Sequence, residues 1–253
     1  MSSNFVGSKL GGKQQENPQS SSPVSWAIQH LNFIADPQHA QVLDSSHRRI
    51  IVNCCRQWGK STTAAVRALH HALHNSNSET TLIAPGLRQS TELLSKIKNL
   101  SPLAIVKSGG TNRHSLQYPN GARILALPGN RDKTRGFSNV SLLIIDETAW
   151  VPDALYFAVR PFLAAAPNAS LLVMSTPIGD SGFLHQTWAS TSAWQRITVK
   201  APACPRISAT FLEEERAALT DHFFRQEYMY EFLSHNRAVF SRELIEDWFT
   251  QNY

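Results

Sequence analysis

Gly59, Lys60 and Ser61 stand between an apolar run that ends near Cys54 and a stretch with helical periodicity. In a strand–turn–helix with these residues, backbone N–H groups point at nucleotide phosphates, the lysine reaches the β- and γ-phosphates, and the hydroxyl ligates Mg²⁺. The usual pattern has a glycine where this chain has Cys54, so the motif is imperfect. We predict that one continuous segment binds the nucleotide: Cys55, Arg56, Gln57, Trp58, Gly59, Lys60, Ser61 and Thr62.

Two adjacent carboxylates, Asp146 and Glu147, follow the apolar run "SLLIID". Such a pair at the end of a buried strand is costly unless metal or hydrogen-bond donors compensate it. Asp146 is suited to hold Mg²⁺ together with Ser61, and Glu147 to orient and deprotonate a water that attacks the γ-phosphate. The two segments together predict nucleotide hydrolysis, with Glu147 as a catalytic residue.

The elements that position these residues alternate between strand and helix. We predict strands at 49–54, 80–85, 103–107, 141–146, 170–175 and 195–200, with helices at 24–34, 60–74, 87–100, 208–218 and 221–232. The runs at 141–146 and 170–175 are continuously apolar, as in a parallel sheet that is covered on both faces. The turn Pro119-Asn120-Gly121 predicts a hairpin inserted in this pattern. The chain is therefore α/β, with a central, mainly parallel sheet flanked by helices.

Composition narrows the class of protein further. The 253 residues are 42% hydrophobic, enough for one sizeable core, while residues 1–23 are polar and predict a flexible tail. No apolar run approaches the roughly 18 residues of a membrane span, and three cysteines without CxxC spacing indicate neither a disulfide framework nor a zinc site. The net charge is +5, and residues 107–135 hold six cations against one acid. That segment is suited to bind a polyanion such as nucleic acid; the alternative is a basic surface that contacts only solvent.

At the phosphate loop, the chain resembles the ATPase domain of the large terminase subunit of tailed bacteriophages. That family uses a deviant loop in which an Arg-Gln pair precedes Gly-Lys, as in "CRQWGKS" here. The resemblance implies that Arg56 is a catalytic residue that senses the γ-phosphate and helps couple hydrolysis to movement. It also explains why a glycine is missing at Cys54.

Three further segments resemble the family in the same order along the chain. In "DPQHAQVL", Gln41 would read the adenine, with Gln38 as the competing choice. In "KTRGF", Arg135 would act as an arginine finger on a neighbouring subunit's nucleotide, or alternatively as a DNA or phosphate contact. In "MSTP", Ser175 or Thr176 would couple the γ-phosphate to movement; a plain turn at the end of a strand is the alternative.

The resemblance implies a P-loop NTPase of the additional-strand (ASCE, RecA-like) type that uses ATP and Mg²⁺. Its implied function is translocation of double-stranded DNA into a procapsid in the cytoplasm of a bacterial host. Implied partners are the portal protein, the small terminase subunit and further copies in a ring of about five. We predict an ATPase core at 24–205 and a helical lid or linker at 206–253, and expect no nuclease domain. The alternatives are a superfamily-2 helicase-like translocase and a non-catalytic DNA- or portal-binding prophage remnant.

Overall fold

A mainly parallel sheet forms the centre of the computed structural model, which describes residues 22–101, 114–129 and 139–234. Its strands are β1 (Arg49–Cys54), β2 (Glu79–Ile83), β3 (Ser115–Gln117), β4 (Arg123–Leu127), β5 (Leu142–Ile145), β6 (Ser170–Ser175) and β7 (Gln195–Val199). They lie in the order β3-β4-β2-β5-β6-β1-β7, and only the pair β3–β4 is antiparallel. The predicted α/β architecture is confirmed.

Helices cover both faces of this sheet. They are α1 (Pro23–Leu31), α2 (Pro37–Leu43), α3 (Lys60–His74), α4 (Leu87–Leu100), α5 (Asp153–Val159), α6 (Gly182–Ala189), α7 (Ala209–Ala218) and α8 (Asp221–Met229). Alternate residues of β1 enter different cores: Ile50 packs in the cluster that includes α3 and α4, and Ile51 in the cluster with α5 and α6. Burial on both faces is the reason why the strands read as continuous apolar runs.

The N-terminal helix is shorter than the sequence pattern predicts. It ends at Leu31 because Asn32 adopts a left-handed conformation (φ 50°), and its backbone N–H caps the carbonyl of Ala27. A second short helix, α2, then begins at Pro37, with Asp36 as N-cap. The Asp-Pro pair is a helix-start signal that the sequence interpretation of "DPQHAQVL" did not use.

The hairpin prediction is confirmed, and its second strand also belongs to the main sheet. Gly121 has a φ of 81° and donates its N–H to the carbonyl of Tyr118, which closes the turn between β3 and β4. Strand β4 pairs in parallel with β2, so the hairpin extends the sheet instead of interrupting it. The predicted strand at 103–107 lies outside the described residues. None of the described helices is long and apolar enough to span a membrane.

Candidate nucleotide site

The carboxyl ends of β5, β6 and β1 lie side by side in the sheet, and the three segments that leave them converge. The loop after β1 runs from Cys55 to Gly59. Gly59 takes a left-handed conformation (φ 105°) as N-cap of α3, and Gln57 also has positive φ (63°). A Cβ on Gly59 would meet only ordinary contacts, the nearest at 3.6 Å, so it is the backbone conformation that favours glycine.

Lys60 opens α3 and points into the space between the loop and the two neighbouring strand ends. Its Nζ donates to Oγ1 of Thr176 at 3.1 Å and lies 3.7 Å from Oε1 of Glu147. The residue is only 8% exposed. Burial alone would lower the pKa of the Lys60 ammonium, but the carboxylates of Glu147 and Asp146 help to outweigh that effect, and the pKa is raised. Lys60 therefore stays charged in a position to bind an anion.

Ser61 and Asp146 form the pair expected of a metal site. The Ser61 hydroxyl donates to Oδ2 of Asp146 at 2.9 Å, while Oδ1 accepts the backbone N–H of Glu147 at 3.0 Å. Burial raises the pKa of Asp146. The described residues contain no group of three or more His, Cys, Asp or Glu side chains that could hold a metal. One carboxylate and one hydroxyl fit Mg²⁺, which is usually held by few protein oxygens together with substrate phosphates and water.

Glu147 leaves the strand end in a left-handed backbone conformation (φ 49°), which is uncommon for a residue with a side chain. It lines the cavity described below, and its side chain is 36% exposed. Burial raises the pKa of the Glu147 carboxyl, although Lys60 opposes the shift. A carboxylate with a raised pKa beside a cavity is well suited to accept a proton.

Ser175 and Thr176, at the end of β6, face different partners. Thr176 accepts the hydrogen bond from Lys60. The Ser175 hydroxyl accepts from the backbone N–H of Ala149 at 3.0 Å and donates to the carbonyl of Thr176 at 2.8 Å. Ala149 belongs to the 3-10 turn Thr148–Trp150, directly after Glu147. The end of β6 is thus bonded both to the lysine and to the segment that carries the carboxylates.

Arg56 forms an ion pair with Glu227 of α8. Its backbone N–H also donates to the Glu227 carbonyl at 3.2 Å. The Arg56 side chain remains 62% exposed, so the pair lies at the edge of the site. The predicted γ-phosphate sensor is therefore held by the C-terminal helices in this structure.

Trp58 and the two cysteines contribute to the loop from within the core. The Trp58 indole is fully buried, stacks on His39 with ring centroids 4.5 Å apart, and donates to Oδ2 of Asp36 at 3.0 Å. Cys54 and Cys55 are fully buried as well. Their side chains, like that of Trp58, are thus placed to support the loop from the interior. Burial raises the pKa of the Cys54 thiol, which stays uncharged.

A cavity of about 640 Å³ opens over the phosphate loop, within the roughly 300–1,000 Å³ typical of small-ligand sites. Its described lining residues are Arg56, Gln57, Gly59, Lys60, Ser61, Thr62, Gln89, Lys96, Glu147, Trp150, Thr176, Ile178, Arg206 and Glu227. Neither Gln41 nor Gln38 is among them. Gln41 is exposed on α2, and its carbonyl accepts from Gln195. Arg135 lies outside the described residues.

Several lining residues were not predicted from the sequence. Gln89 and Lys96 come from α4, Arg206 and Glu227 from the C-terminal segment, and Trp150 follows the carboxylates. Arg206 donates to the Trp58 carbonyl at 2.8 Å and lies 3.5 Å from Oδ2 of Asp36, which ties the segment after β7 to the phosphate loop. The spacing of Gln89 and Lys96, two helical turns apart on one face, is the signal that a sequence analysis could have used.

The strand order completes the classification. β6 lies between β1, which leads into the phosphate loop, and β5, which ends in the carboxylates. A strand inserted at this place defines a P-loop NTPase fold of the additional-strand type, as predicted. The family model "Terminase large subunit, T4likevirus-type, N-terminal" matches residues 51–247, and the chain belongs to this family.

Individual relatives agree with this assignment. The large terminase subunit of Thermus phage G20c is 25% identical over 249 residues, which cover 81% of this chain and 50% of that protein. The chain thus spans about half the length of this curated relative. The large terminase ATPase domain of Thermus phage P74-26 superposes with a TM-score of 0.70 at 20% identity, covering 84% of this chain and all of that one. The large terminase of another thermophilic bacteriophage, solved in complex with ADP, gives a TM-score of 0.64 at 12% identity, covering 79% of this chain and 54% of that one.

Proposed function

We propose that this chain is the ATP-hydrolysing motor domain of a viral DNA-packaging terminase. The observation that carries the proposal is the convergence of Lys60, Glu147 and the Ser61–Asp146 pair at one cavity. Membership of the terminase large-subunit family supports it and favours this motor over a helicase-type translocase. The large terminase solved with ADP has also been solved with ATP-gamma-S, and these complexes support ATP as the substrate here.

The chemistry follows from the positions of these groups. Backbone N–H groups of the loop and the Lys60 ammonium bind the β- and γ-phosphates. Glu147 accepts the proton of a water molecule that attacks the γ-phosphorus in line with the leaving oxygen. Thr176 would register whether the phosphate is present, and the hydrogen bond that it accepts from Lys60 supports this role.

Ser61 and Asp146 would hold Mg²⁺ at this site. The bound ion would neutralise part of the charge on the β- and γ-phosphate oxygens. The hydrogen bond between the two side chains, with 2.9 Å between their oxygens, supports this pairing. Binding would also relieve the cost of burying the Asp146 carboxylate.

Hydrolysis becomes movement through contacts at the edge of the site. Arg56 would exchange Glu227 for the γ-phosphate, which would loosen α8 from the phosphate loop. Ser175 would transmit a shift at the end of β6 to the turn after Glu147. Arg135 of a neighbouring copy would complete the site in a ring of about five subunits. The partners of this chain would be double-stranded DNA, the portal protein and the small terminase subunit, in the cytoplasm of a bacterial host.

Steady-state ATP hydrolysis with Mg²⁺, with and without linear double-stranded DNA, tests the proposal. We expect Glu147→Gln to lower turnover by at least about a hundredfold while ATP still binds, since the amide cannot accept the proton. Lys60→Ala should abolish turnover through loss of phosphate binding. Stimulation of the wild type by DNA would support the motor. A Glu147→Gln protein with more than half of the wild-type turnover would refute the assignment.

A further inference from the structure

Four cationic side chains line the cavity in the described part of the chain, and three of them are paired with carboxylates. Lys60 lies beside Glu147, Arg56 pairs with Glu227, and Arg206 pairs with Asp36. The fourth, Lys96 of α4, donates to the neutral hydroxyl of Thr62 at 3.3 Å. Among the described residues it forms no direct ion pair with a carboxylate, in contrast to the other three cations that line the cavity.

The natural partner of Lys96 is engaged elsewhere. Glu92 precedes Lys96 by four residues on α4, the spacing and order that favour an ion pair on a helix surface. Glu92 instead accepts from Nε of Arg88 at 2.8 Å, one helical turn in the other direction. Lys96 is left to extend over the first turn of α3, where Thr62 and the phosphate loop lie.

Lys96 lies on the side of the site where Ser61 and Asp146 would hold Mg²⁺. A second cavity of about 310 Å³ adjoins the first, and the two share four lining residues: Ser61, Gln89, Lys96 and Glu147. Asp146 lines only the second cavity. Burial raises the pKa of Asp146, and the positive charge of Lys96 is one of the effects that oppose this shift, which is a mark of its proximity. Lys96 therefore shares a wall with Glu147, the proposed general base, which would face the terminal phosphate.

We propose that Lys96 is a second phosphate-binding lysine, which contacts the terminal phosphate of a bound nucleoside triphosphate. This proposal rests on the proposed function, because it takes the cavity to be the ATP site. A flexible ammonium on a four-carbon stem can leave a neutral hydroxyl for an anionic oxygen at little cost. Since a diphosphate lacks this oxygen, Lys96 makes the site select triphosphate over diphosphate.

Nucleotide affinities of Lys96→Met test the proposal, because this change removes the charge and keeps an apolar stem. The probes are a non-hydrolysable ATP analogue and ADP, each with Mg²⁺ and measured by calorimetry. We expect the affinity for the triphosphate analogue to fall about tenfold or more and that for ADP to stay unchanged. Lys96→Arg, which retains the charge, should restore most of the preference.

Lys98→Met is the matched control, since Lys98 is exposed on the same helix and does not line either described cavity. Its affinities should equal those of the wild type. Equal losses for both nucleotides in Lys96→Met, an unchanged preference, or the same loss in Lys98→Met would each overturn the role of Lys96. A wild-type protein that binds neither nucleotide would instead refute the proposed function.

Discussion

The two sides of the cavity differ in how the protein holds their polar groups. On the phosphate side, Asp146 and Thr176 follow the adjacent strands β5 and β6, and Lys60 and Ser61 open α3. Lys60 donates to Thr176 at 3.1 Å and Ser61 to Asp146 at 2.9 Å. On the lid side, Arg56 is 62% exposed and pairs with a residue from the far end of the described chain.

In the proposed function, this difference would separate the residues that act in hydrolysis from those that move. The strand ends are fixed by hydrogen-bonded partners within the sheet, and Lys60 and Asp146 are only 8% and 6% exposed. An exposed ion pair contributes little free energy, roughly 0–1 kcal/mol, and can be exchanged for another anion without disturbing a core. We therefore propose that the groups assigned to hydrolysis are preorganised, and that the replaceable contacts lie on the lid side, at Arg56 and Glu227.

Asp146→Asn tests the phosphate side and should have the largest effect of the variants considered next. We expect Mg²⁺-dependent hydrolysis to be lost, because the amide is a poor ligand, while the nucleotide-free protein becomes more stable. The folded state raises the pKa of Asp146 from its ordinary 3.8, so ionisation at neutral pH destabilises it. A gain of about 1 kcal/mol would raise Tm by about 2–4 °C.

The pH dependence of the melting temperature supplies the control for Asp146→Asn. Below the ordinary carboxyl pKa both states hold the proton, and the stability cost is absent. As pH rises toward the raised folded-state pKa, the wild type loses stability that the variant keeps. The Tm difference should therefore be larger at neutral pH than near pH 4. An Asn variant that unfolds at a lower temperature than the wild type at neutral pH would contradict a strained, preorganised phosphate side.

The same contrast explains how much could be predicted from the sequence. β1, β5 and β6 were predictable because each is a continuous apolar run, and polar residues directly after parallel strands meet at one edge. Lys60, Asp146 and Thr176 therefore lie where the pattern indicates. Lys96 and Glu227 were not assigned, because each lies on a helix whose placement over the site depends on tertiary packing. Only the spacing of Gln89 and Lys96 on one face of α4 indicated a functional surface.

Short elements that depend on local backbone conformation could not be predicted from the hydrophobic pattern either. α2 has seven residues, too few to show helical periodicity, and only Asp36 and Pro37 mark its start. The early end of α1 depends on the left-handed conformation of Asn32. Placing α2 correctly matters for function, because the glutamines proposed to read the base lie on it.

Glu227→Gln tests the lid side and should have an intermediate effect. The change keeps the shape of the side chain and removes the charge that holds Arg56. We expect nucleotide affinity, measured by calorimetry, to increase several-fold, because Arg56 no longer has to leave a carboxylate to meet phosphate. The free energy of unfolding should fall by less than about 1 kcal/mol, since Arg56 is largely exposed.

Glu231→Gln is the matched control for this change. Glu231 pairs with Arg225 near the same helix end, and neither residue lines the cavity in the described chain. Its loss should leave nucleotide affinity unaltered. Equal affinities for the wild type and Glu227→Gln would mean that Arg56 does not exchange partners, and the division between a fixed and a replaceable side would fail.

The smallest change in nucleotide binding is expected for substitutions of the glutamines of α2. One of these glutamines would contact the nucleotide base from the lid side of the cavity. Gln41 is exposed and its carbonyl accepts from Gln195 of β7, whereas Gln38 lies in the first turn of α2, two residues after Asp36, which pairs with Arg206. Since Arg206 lines the cavity, Gln38 is on the nearer end of the helix. We expect Gln38→Ala to reduce the ratio of ATP to GTP affinity a few-fold and Gln41→Ala to leave it almost unchanged. If Gln41→Ala lowers the ratio and Gln38→Ala does not, Gln41 is the residue that reads the base. Helix α2 would then have to turn toward the cavity when nucleotide binds. It would therefore belong to the parts of the lid side that move.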